Sequence, residues 1–497
     1  MKVLQSFLSV AGLASVPYLS NSPQPSLTSN HPASIQFSAW LSAFNTGNRE
    51  TILAYHTDLS FPVSVLEGPI QGGDNVVMFA RLSGGFDIAK VESIDNPSYV
   101  VVVMRARSNR QYIRANMSVD ISRSTYPATK LHFTPTITPL DLIPQDDPRR
   151  PDYERAMAPL TSVRRRAILD GLIDVLREQY VNPAIVEDII AELEENVKNG
   201  DYDNIDDNEK FSYRLTHDLH SYDKYMFVRF FEPWPENNGS ALGPTPKKHF
   251  EHLRIMNFGF GTIHFDTESV PGRTIATIPL HDFIPFHIKW DPNTEEIRAA
   301  VGDRISSVAD ADALIVDLRD NNGGYPDSVA FIISYLLDNA THHLVDILDR
   351  NSTVMKSRTS LTFDELPPGS KCFGGTKPLF VLTSNTTIGG GEDLAYSLQA
   401  FKRAQAIIGE GNDATTGTAN FLTNVSFVAG ETFGKGWWFV GVPNVKPVHA
   451  VTGSNWEGVG VKSDTVAGKG EWEGEKNAQE VARQLAMRAL QPDKEEL

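Results

Sequence analysis

The sequence predicts a layered α/β core, preceded by a helical segment and a small α+β unit. Three observations carry this prediction. From Asn257 onward, short apolar or β-branched runs alternate with helix-length amphipathic stretches. Between 161 and 231, apolar stripes recur at helical spacing. Before 137, two helical stripes precede four strand-like runs. With 497 residues, 41% of them hydrophobic, the chain can bury more than one core.

Residues 1–32 read as a leader. Met1-Lys2 and the mostly apolar Val3 to Leu19 have the order of a secretory signal, with one positive charge and several serines, and a Pro/Ser-rich stretch to Pro32 follows. This order predicts secretion; without it the chain reads as cytoplasmic. Asn-x-Ser/Thr triplets at Asn116, Asn238, Asn339, Asn351, Asn385 and Asn424 suit a glycoprotein and also arise by chance in a chain rich in these residues.

Over 33–137, Phe37, Trp40, Leu41 and Phe44 form one helical stripe that stops at Asn45-Thr46-Gly47, and a short second helix covers Glu50 to Tyr55. Strands are expected at Phe86–Val91, Tyr99–Met104, Tyr112–Val119 and Lys130–Thr134. The order resembles a small nuclear-transport-factor-like α+β domain, for which docking or dimerisation is the plain role. Residues 138–160, punctuated by Pro139, Pro144, Pro148, Pro151 and Pro159, read as a linker.

A helical domain is expected over 161–231. Ile168, Leu169, Leu172, Val175 and Leu176 stripe its first helix. Asn182-Pro183 supplies a cap and first-turn proline for a second helix, striped by Ile185, Ile189 and Leu193 and ended by Gly200. A third runs from Asn208 to Leu219 and leads through Asp223-Lys224-Tyr225 into a strand, Phe227 to Phe231. Residues 232–252 read as a loop. The core, 253–490, is expected to hold strands at Phe258–Phe265, Thr274–Ile278, Ala313–Leu318, Leu379–Thr383 and Ala404–Ile408. Its helices are expected near Glu295–Ser307, Ser328–Leu337, Gly390–Phe401 and Lys476–Leu490, with a tail at 491–497.

The formal charge of −17 argues against a nucleic-acid or anionic-membrane partner, because phosphate binding draws on clustered Lys and Arg. No later stretch reaches 18 uninterrupted apolar residues, so no spanning helix is expected. The single cysteine, Cys372, excludes an internal disulfide and a cysteine-based zinc site. His342-His343 lacks a companion ligand pattern, and no cofactor or metal is expected.

Three stretches carry the chemistry: Val316-Asp317-Leu318-Arg319-Asp320-Asn321-Asn322-Gly323-Gly324, Leu382 to Glu392 with Gly389-Gly390-Gly391, and Asn455-Trp456-Glu457-Gly458-Val459-Gly460-Val461. Together they resemble the active-site framework of the tail-specific (C-terminal-processing) serine peptidases, in the branch of tricorn-like peptidases and the interphotoreceptor retinoid-binding protein. The resemblance covers roughly residues 160 to 490 and implies the ββα spiral shared with Clp proteases and crotonases. It also implies a nucleophile at a strand-to-helix turn, oxyanion donors at Gly390 and at Gly323 or Gly324, and an acidic member at Glu457. The peptide-binding PDZ module of bacterial members has no room in 232–252.

Two positions depart from the pattern. The nucleophile slot holds Gly389, and the base slot, where relatives carry histidine, holds Tyr225, whose ordinary pKa near 10 makes a poor base. The sequence therefore predicts a peptidase homologue with impaired catalysis, whose cleft binds a peptide, an unfolded protein segment or an apolar small molecule. Two alternatives stand beside it: a serine-type peptidase using Ser384 or Thr387, and an interaction protein acting through its N-terminal domain. Whether the chain is an enzyme stays open at this point. Lys435, in Gly430-Glu431-Thr432-Phe433-Gly434-Lys435-Gly436, resembles the base of Ser-Lys members but lies 46 positions after Gly389 and reads as a hairpin residue.

Overall fold

Phe37, Trp40, Leu41 and Phe44 all become buried in helix α1 (Pro32–Phe44), which a first-turn proline opens. The computed structural model describes residues 27, 30–57, 73–108, 111–148, 150–230, 246–285, 293–411, 413–423, 426–427, 438–475 and 477–491. The leader to residue 26, residues 231–245 with Asn238, Asn424, and the Gly430–Gly436 stretch with Lys435 lie outside them.

Helices α2 (Arg49–Thr57) and α3 (Gly73–Ser83) follow α1, and the third of these was not expected from the sequence. Its β-branched Val76 and Val77 carry little helix propensity, yet they are buried with Phe79 and Ala80. The four expected strands form one antiparallel meander, β1 (Phe86–Ser93), β2 (Tyr99–Ala106), β3 (Tyr112–Val119) and β4 (Ala128–Thr136). Trp40 joins helices to sheet, its ring 4.8 Å from Phe44 and 5.4 Å from Phe133.

The proline-rich stretch expected as a linker is packed. A 3₁₀ turn at Leu140–Leu142 and helix α4 (Arg150–Ala156) carry Ile143, Tyr153, Ala156 and Leu160 into the core of the helices that follow. In α5 (Ser162–Gln179), Thr161 caps the first turn by accepting from the Arg164 N–H. Asn182 makes no such bond. Pro183 opens a 3₁₀ turn instead, and α6 begins at Val186 and runs to Lys198. The neighbouring Val181 N–H is committed to Pro443 O at 2.8 Å, so tertiary pairing overrides the local cap. Asp207 caps α7 (Asn208–Leu219), accepting from Lys210 N at 2.8 Å, and β5 (Phe227–Phe230) turns back along it.

Helix α8 (Pro246–Ile255) occupies part of the expected loop. The strand expected over Phe258–Phe265 is a 3₁₀ turn at Asn257–Gly259 followed only by β6 (His264–Asp266). Asn257 sets that turn, its amide donating to Phe260 O at 3.0 Å and its carbonyl accepting from Arg304 at 2.8 Å. Then come β7 (Ile275–Pro279), α9 (Thr294–Ser306), β8 (Ala313–Asp317), α10 (Pro326–Ser334) and a hairpin of β9 (His343–Asp349) and β10 (Val354–Thr359). The chain continues with β11 (Leu379–Thr383), α11 (Gly390–Ala400), β12 (Ala406–Glu410), β13 (Ser426–Phe427), β14 (Trp438–Gly441), β15 (Val445–His449), β16 (Thr465–Ala467) and α12 (Ala478–Leu490).

The main sheet has the order β16-β12-β11-β8-β7-β6, parallel throughout except at β6. Strands β8 and β11 are apolar at every position before their last residues, Asp317 and Thr383, because both faces are covered. Leu314, Val316, Leu379 and Val381 enter one core, while Ala313, Ile315, Phe380 and Leu382 enter another beneath α12. Strand β5 pairs with β14, which ties the helical segment to the core. The carboxyl ends of β8 and β11 therefore lie side by side, and the chemistry-bearing loops leave from there.

Candidate active site

Strand β11 ends at Thr383, and five residues later the chain turns sharply into α11. Gly389 caps the helix with φ 57° and ψ −108°, a conformation open to glycine and strained for other residues. Gly391 is required by close approach, since a Cβ there would stand 2.5 Å from Asn321 Oδ1. The hydroxyls leading into the turn are committed. Thr387, fully buried, donates to Leu318 O at 2.7 Å and accepts from Ser384 N at 2.9 Å. Ser384 and Thr386 lie 2.6 and 2.7 Å from Arg319 O.

Glu392, in the first turn of α11, is completely buried and holds the turn together. Its carboxylate accepts from Gly389 N (2.9 Å), Thr415 Oγ1 (2.5 Å), Thr416 Oγ1 (2.9 Å), Gly417 N (2.7 Å) and Thr418 N (3.0 Å). Burial pushes this carboxyl up, and the donors oppose the shift. On the neighbouring loop, Gly323 has φ 81° and Gly324 φ 126°. Gly323 N donates to Asn321 Oδ1 at 2.8 Å, and the Asn321 amide donates to Leu280 O at 2.7 Å. Phe283 lies over the turn, where its Cδ2 would meet a Cβ on Gly390 at 2.7 Å.

From the helical segment, buried Asp223 accepts the Tyr225 N–H at 2.8 Å, and Lys224 donates to Thr416 O at 2.7 Å. These contacts aim the Tyr225 ring at the turn. A Cβ built on Gly389 would lie 2.0 Å from the Tyr225 hydroxyl oxygen. Burial pushes this phenol well above the ordinary tyrosine range, and the carboxylates of Glu392, Asp223 and Glu457 push it the same way. The direction of this shift favours the neutral phenol.

Glu457 Oε2 accepts from Ala419 N at 2.7 Å and Asn420 N at 2.8 Å, which fixes the carboxylate beside the 415–420 segment. Burial pushes it up, while the two amides and Lys224 oppose. The Gly389 turn, the Gly323-Gly324 loop and Tyr225 thus converge, and Glu457 is near enough to act electrostatically on Tyr225. His342 and His343 instead pair with Asp338 and Asp346, at 2.5 and 2.8 Å. Among the described residues no group of three or more His, Cys, Asp or Glu side chains could hold a metal ion. Nor is any helix there long and apolar enough to cross a membrane.

Glu392 and Asn321 lie inside the stretches quoted from the sequence but received no role there, and Phe283 lies outside them. Glu392 carries a readable signal, an acid three positions after the turn residue at a helix start. Phe283 carries none.

A strand-to-helix turn with a glycine loop beside it and a buried acid behind it is the framework of a serine-type peptidase. Two family descriptions agree with this framework. "Peptidase family S41" matches residues 274–465, and "N-terminal domain of Peptidase_S41 in eukaryotic IRBP" matches 159–252. The chain belongs to the S41 family of tail-specific peptidases.

Among solved structures it is similar to a photosystem II D1 C-terminal processing protease, at 15% identity and TM-score 0.37 over 66% of this chain and 98% of that one. It is also similar to a putative peptidase from Parabacteroides merdae ATCC 43184, at 14% identity and TM-score 0.41 over 65% of this chain and 96% of that one. The tricorn protease is similar at 11% identity and TM-score 0.38, over 81% of this chain and 42% of the larger protein.

Proposed function

We propose that this chain is a disarmed member of its family, which binds an extended peptide or unfolded protein segment in the peptidase cleft without cutting it. One observation carries the reading: the Tyr225 hydroxyl lies 2.0 Å from where a nucleophile's Cβ would be built on Gly389. The site therefore has neither a side chain to attack a carbonyl nor space for one. Acyl transfer needs a nucleophile and a group to take its proton. A phenol held neutral by burial and three nearby carboxylates does not take that proton.

What the cleft retains is suited to holding a carbonyl. The Gly390 N–H opens α11, and with the Gly323 N–H committed to Asn321, the second donor is assigned to Gly324. Ser384 and Thr387 are poor substitutes for the nucleophile, because their hydroxyls are bonded to the carbonyls of Arg319 and Leu318.

The test is cleavage of an unfolded protein substrate by the native chain, by Gly389→Ser, by Gly389→Ser/Tyr225→His, and by that double variant with Glu457→Ala. Loss of a nucleophile typically costs about 10⁶-fold in turnover. The native chain and the single variant should be inert, and only the double variant should cut, in a manner dependent on Glu457. Cleavage by the native chain sinks the proposal.

A further inference from the structure

We infer that the N-terminal unit is a brace for the cleft, with Glu209 as the positioning residue that couples it to Tyr225. The inference holds whether or not the cleft performs chemistry. It starts from a single helix, α7, which makes contacts of different kinds along its length.

At its first turn, Glu209 reaches across to the N-terminal sheet. One carboxylate oxygen accepts from Arg114 Nη1 of β3 at 2.7 Å. The other accepts from Thr136 Oγ1 at 2.7 Å and Ile137 N at 3.0 Å, at the end of β4. Arg114 is fixed in turn by a fork onto Glu92 of β1, at 2.7 and 3.2 Å. One helical turn after Glu209, Tyr213 donates to Pro135 O at 3.1 Å. Positions 209 and 213 share one face of the helix, so sheet and helix meet along a line of four hydrogen bonds. The Glu209 side chain is only 13% exposed, which makes this a partly desolvated contact stronger than a surface ion pair.

The opposite face of α7 carries Phe211, Leu215 and Leu219 into the helical core, so the helix cannot shift without disturbing that packing. At its far end, Leu219 O accepts from the N–H groups of Tyr222 and Asp223. Asp223 then fixes Tyr225. A 12-residue helix is about 18 Å long, so the sheet contact and the Tyr225 seat lie at opposite ends of one rigid rod. The N-terminal unit also reaches the core on a second side, because α3 runs against α8. Helix α8 leads into Gly259, whose carbonyl accepts from the N–H groups of His281 and Asp282, immediately before Phe283 covers the turn.

Hydrogen exchange on the full-length chain tests the coupling, comparing native protein with Glu209→Ala, Glu209→Gln, Tyr213→Phe and a control, Glu194→Ala. The control breaks the exposed Arg166–Glu194 pair on the same helical segment. Glu209→Ala should accelerate exchange of the Tyr225 and Met226 amides by at least about tenfold, while Val100–Met104 in β2 stay protected. Tyr213→Phe, which deletes one hydrogen bond, should accelerate them by about fivefold. Glu209→Gln keeps an acceptor for Thr136 and should rescue part of the effect.

In ring-¹³C-tyrosine protein, the Tyr225 signal, assigned by its loss in Tyr225→Phe, should move in Glu209→Ala and not in the control. If β2 itself loses protection in Glu209→Ala, the Tyr213→Phe chain decides the matter. Faster exchange confined to 207–213 or to the N-terminal unit, with Tyr225 unmoved, would overturn the inference.

Discussion

Replacing Gly389 by alanine tests the seating of Tyr225 directly. The added Cβ would stand 2.0 Å from the Tyr225 hydroxyl oxygen and 3.3 Å from its Cζ, where ordinary contacts between heavy atoms lie at about 3.5–4.0 Å. Two costs arise. Holding a non-glycine residue at the turn's φ of 57° costs about 1–3 kcal/mol. Forcing the phenol aside in a packed site costs about a further 1–3 kcal/mol. Tyr225→Phe separates them, because it removes the clashing oxygen and leaves the backbone unchanged. The alanine should therefore be less harmful in the phenylalanine background, with a coupling of about 1–3 kcal/mol between the sites. The assay is native-state exchange of the Asp393 amide, which donates to Gly389 O at 2.8 Å, in the four chains of the cycle. A coupling below about 0.5 kcal/mol refutes the reasoning, because the phenol then does not occupy the space that a Cβ on residue 389 needs.

Three further outcomes follow from the same geometry. Asp393→Ala leaves the guanidinium of Arg358, 4% exposed and 2.8 Å from Asp393, without its counter-charge, and should cost about 3–5 kcal/mol in denaturant unfolding; a loss under about 1 kcal/mol contradicts the pairing. Glu392→Gln turns an NH₂ toward donors now shared by both oxygens, and should destabilise the turn by at least about 2 kcal/mol, read from exchange of Gly417 and Thr418. Asp282 is pushed up by burial to about 7, with the Asn322 amide opposing. A folded value above the ordinary carboxylate range favours the protonated form, so this contribution to stability is complete below about pH 4 and disappears as pH rises through 7. Asp282→Asn should flatten that part of the stability profile, and identical profiles would rule the assignment out.

Much of the fold was legible because burial on known faces leaves a period in the sequence. The stripes of α1, α5 and α7 and the unbroken apolar runs of β8 and β11 are of this kind. What was missed depends on partners distant in the chain. Helix α3 is held by aromatic packing against β1 and β4, which Val76 and Val77 do not announce. The turn at Asn257–Phe258 follows from an asparagine that bonds its own backbone and Arg304, and two flanking phenylalanines mimic a strand. In the site, the glycine turn and Glu457 were readable as motifs. The role of Asn321 as an acceptor for Gly323 and the cover supplied by Phe283 were not, since each spans a contact that no local pattern encodes.

The two departures from the family pattern look independent in the sequence, separated as they are by 164 positions. In the structure they meet at a single point. With Tyr225 seated, residue 389 has no space for a Cβ, and a side chain at 389 would deny the phenol its seat. Each residue thus makes the other tolerable, and a larger residue at 389 or a smaller one at 225 brings a clash or a vacancy. On the proposed reading, serine at 389 by itself adds a nucleophile beneath the Tyr225 oxygen that blocks it and beside no base. Restoring histidine by itself adds a base with nothing to deprotonate. On the proposed reading the pair behaves as one structural state, and a scan that introduces serine at 389 or histidine at 225 one at a time is expected to find no cleavage at either position.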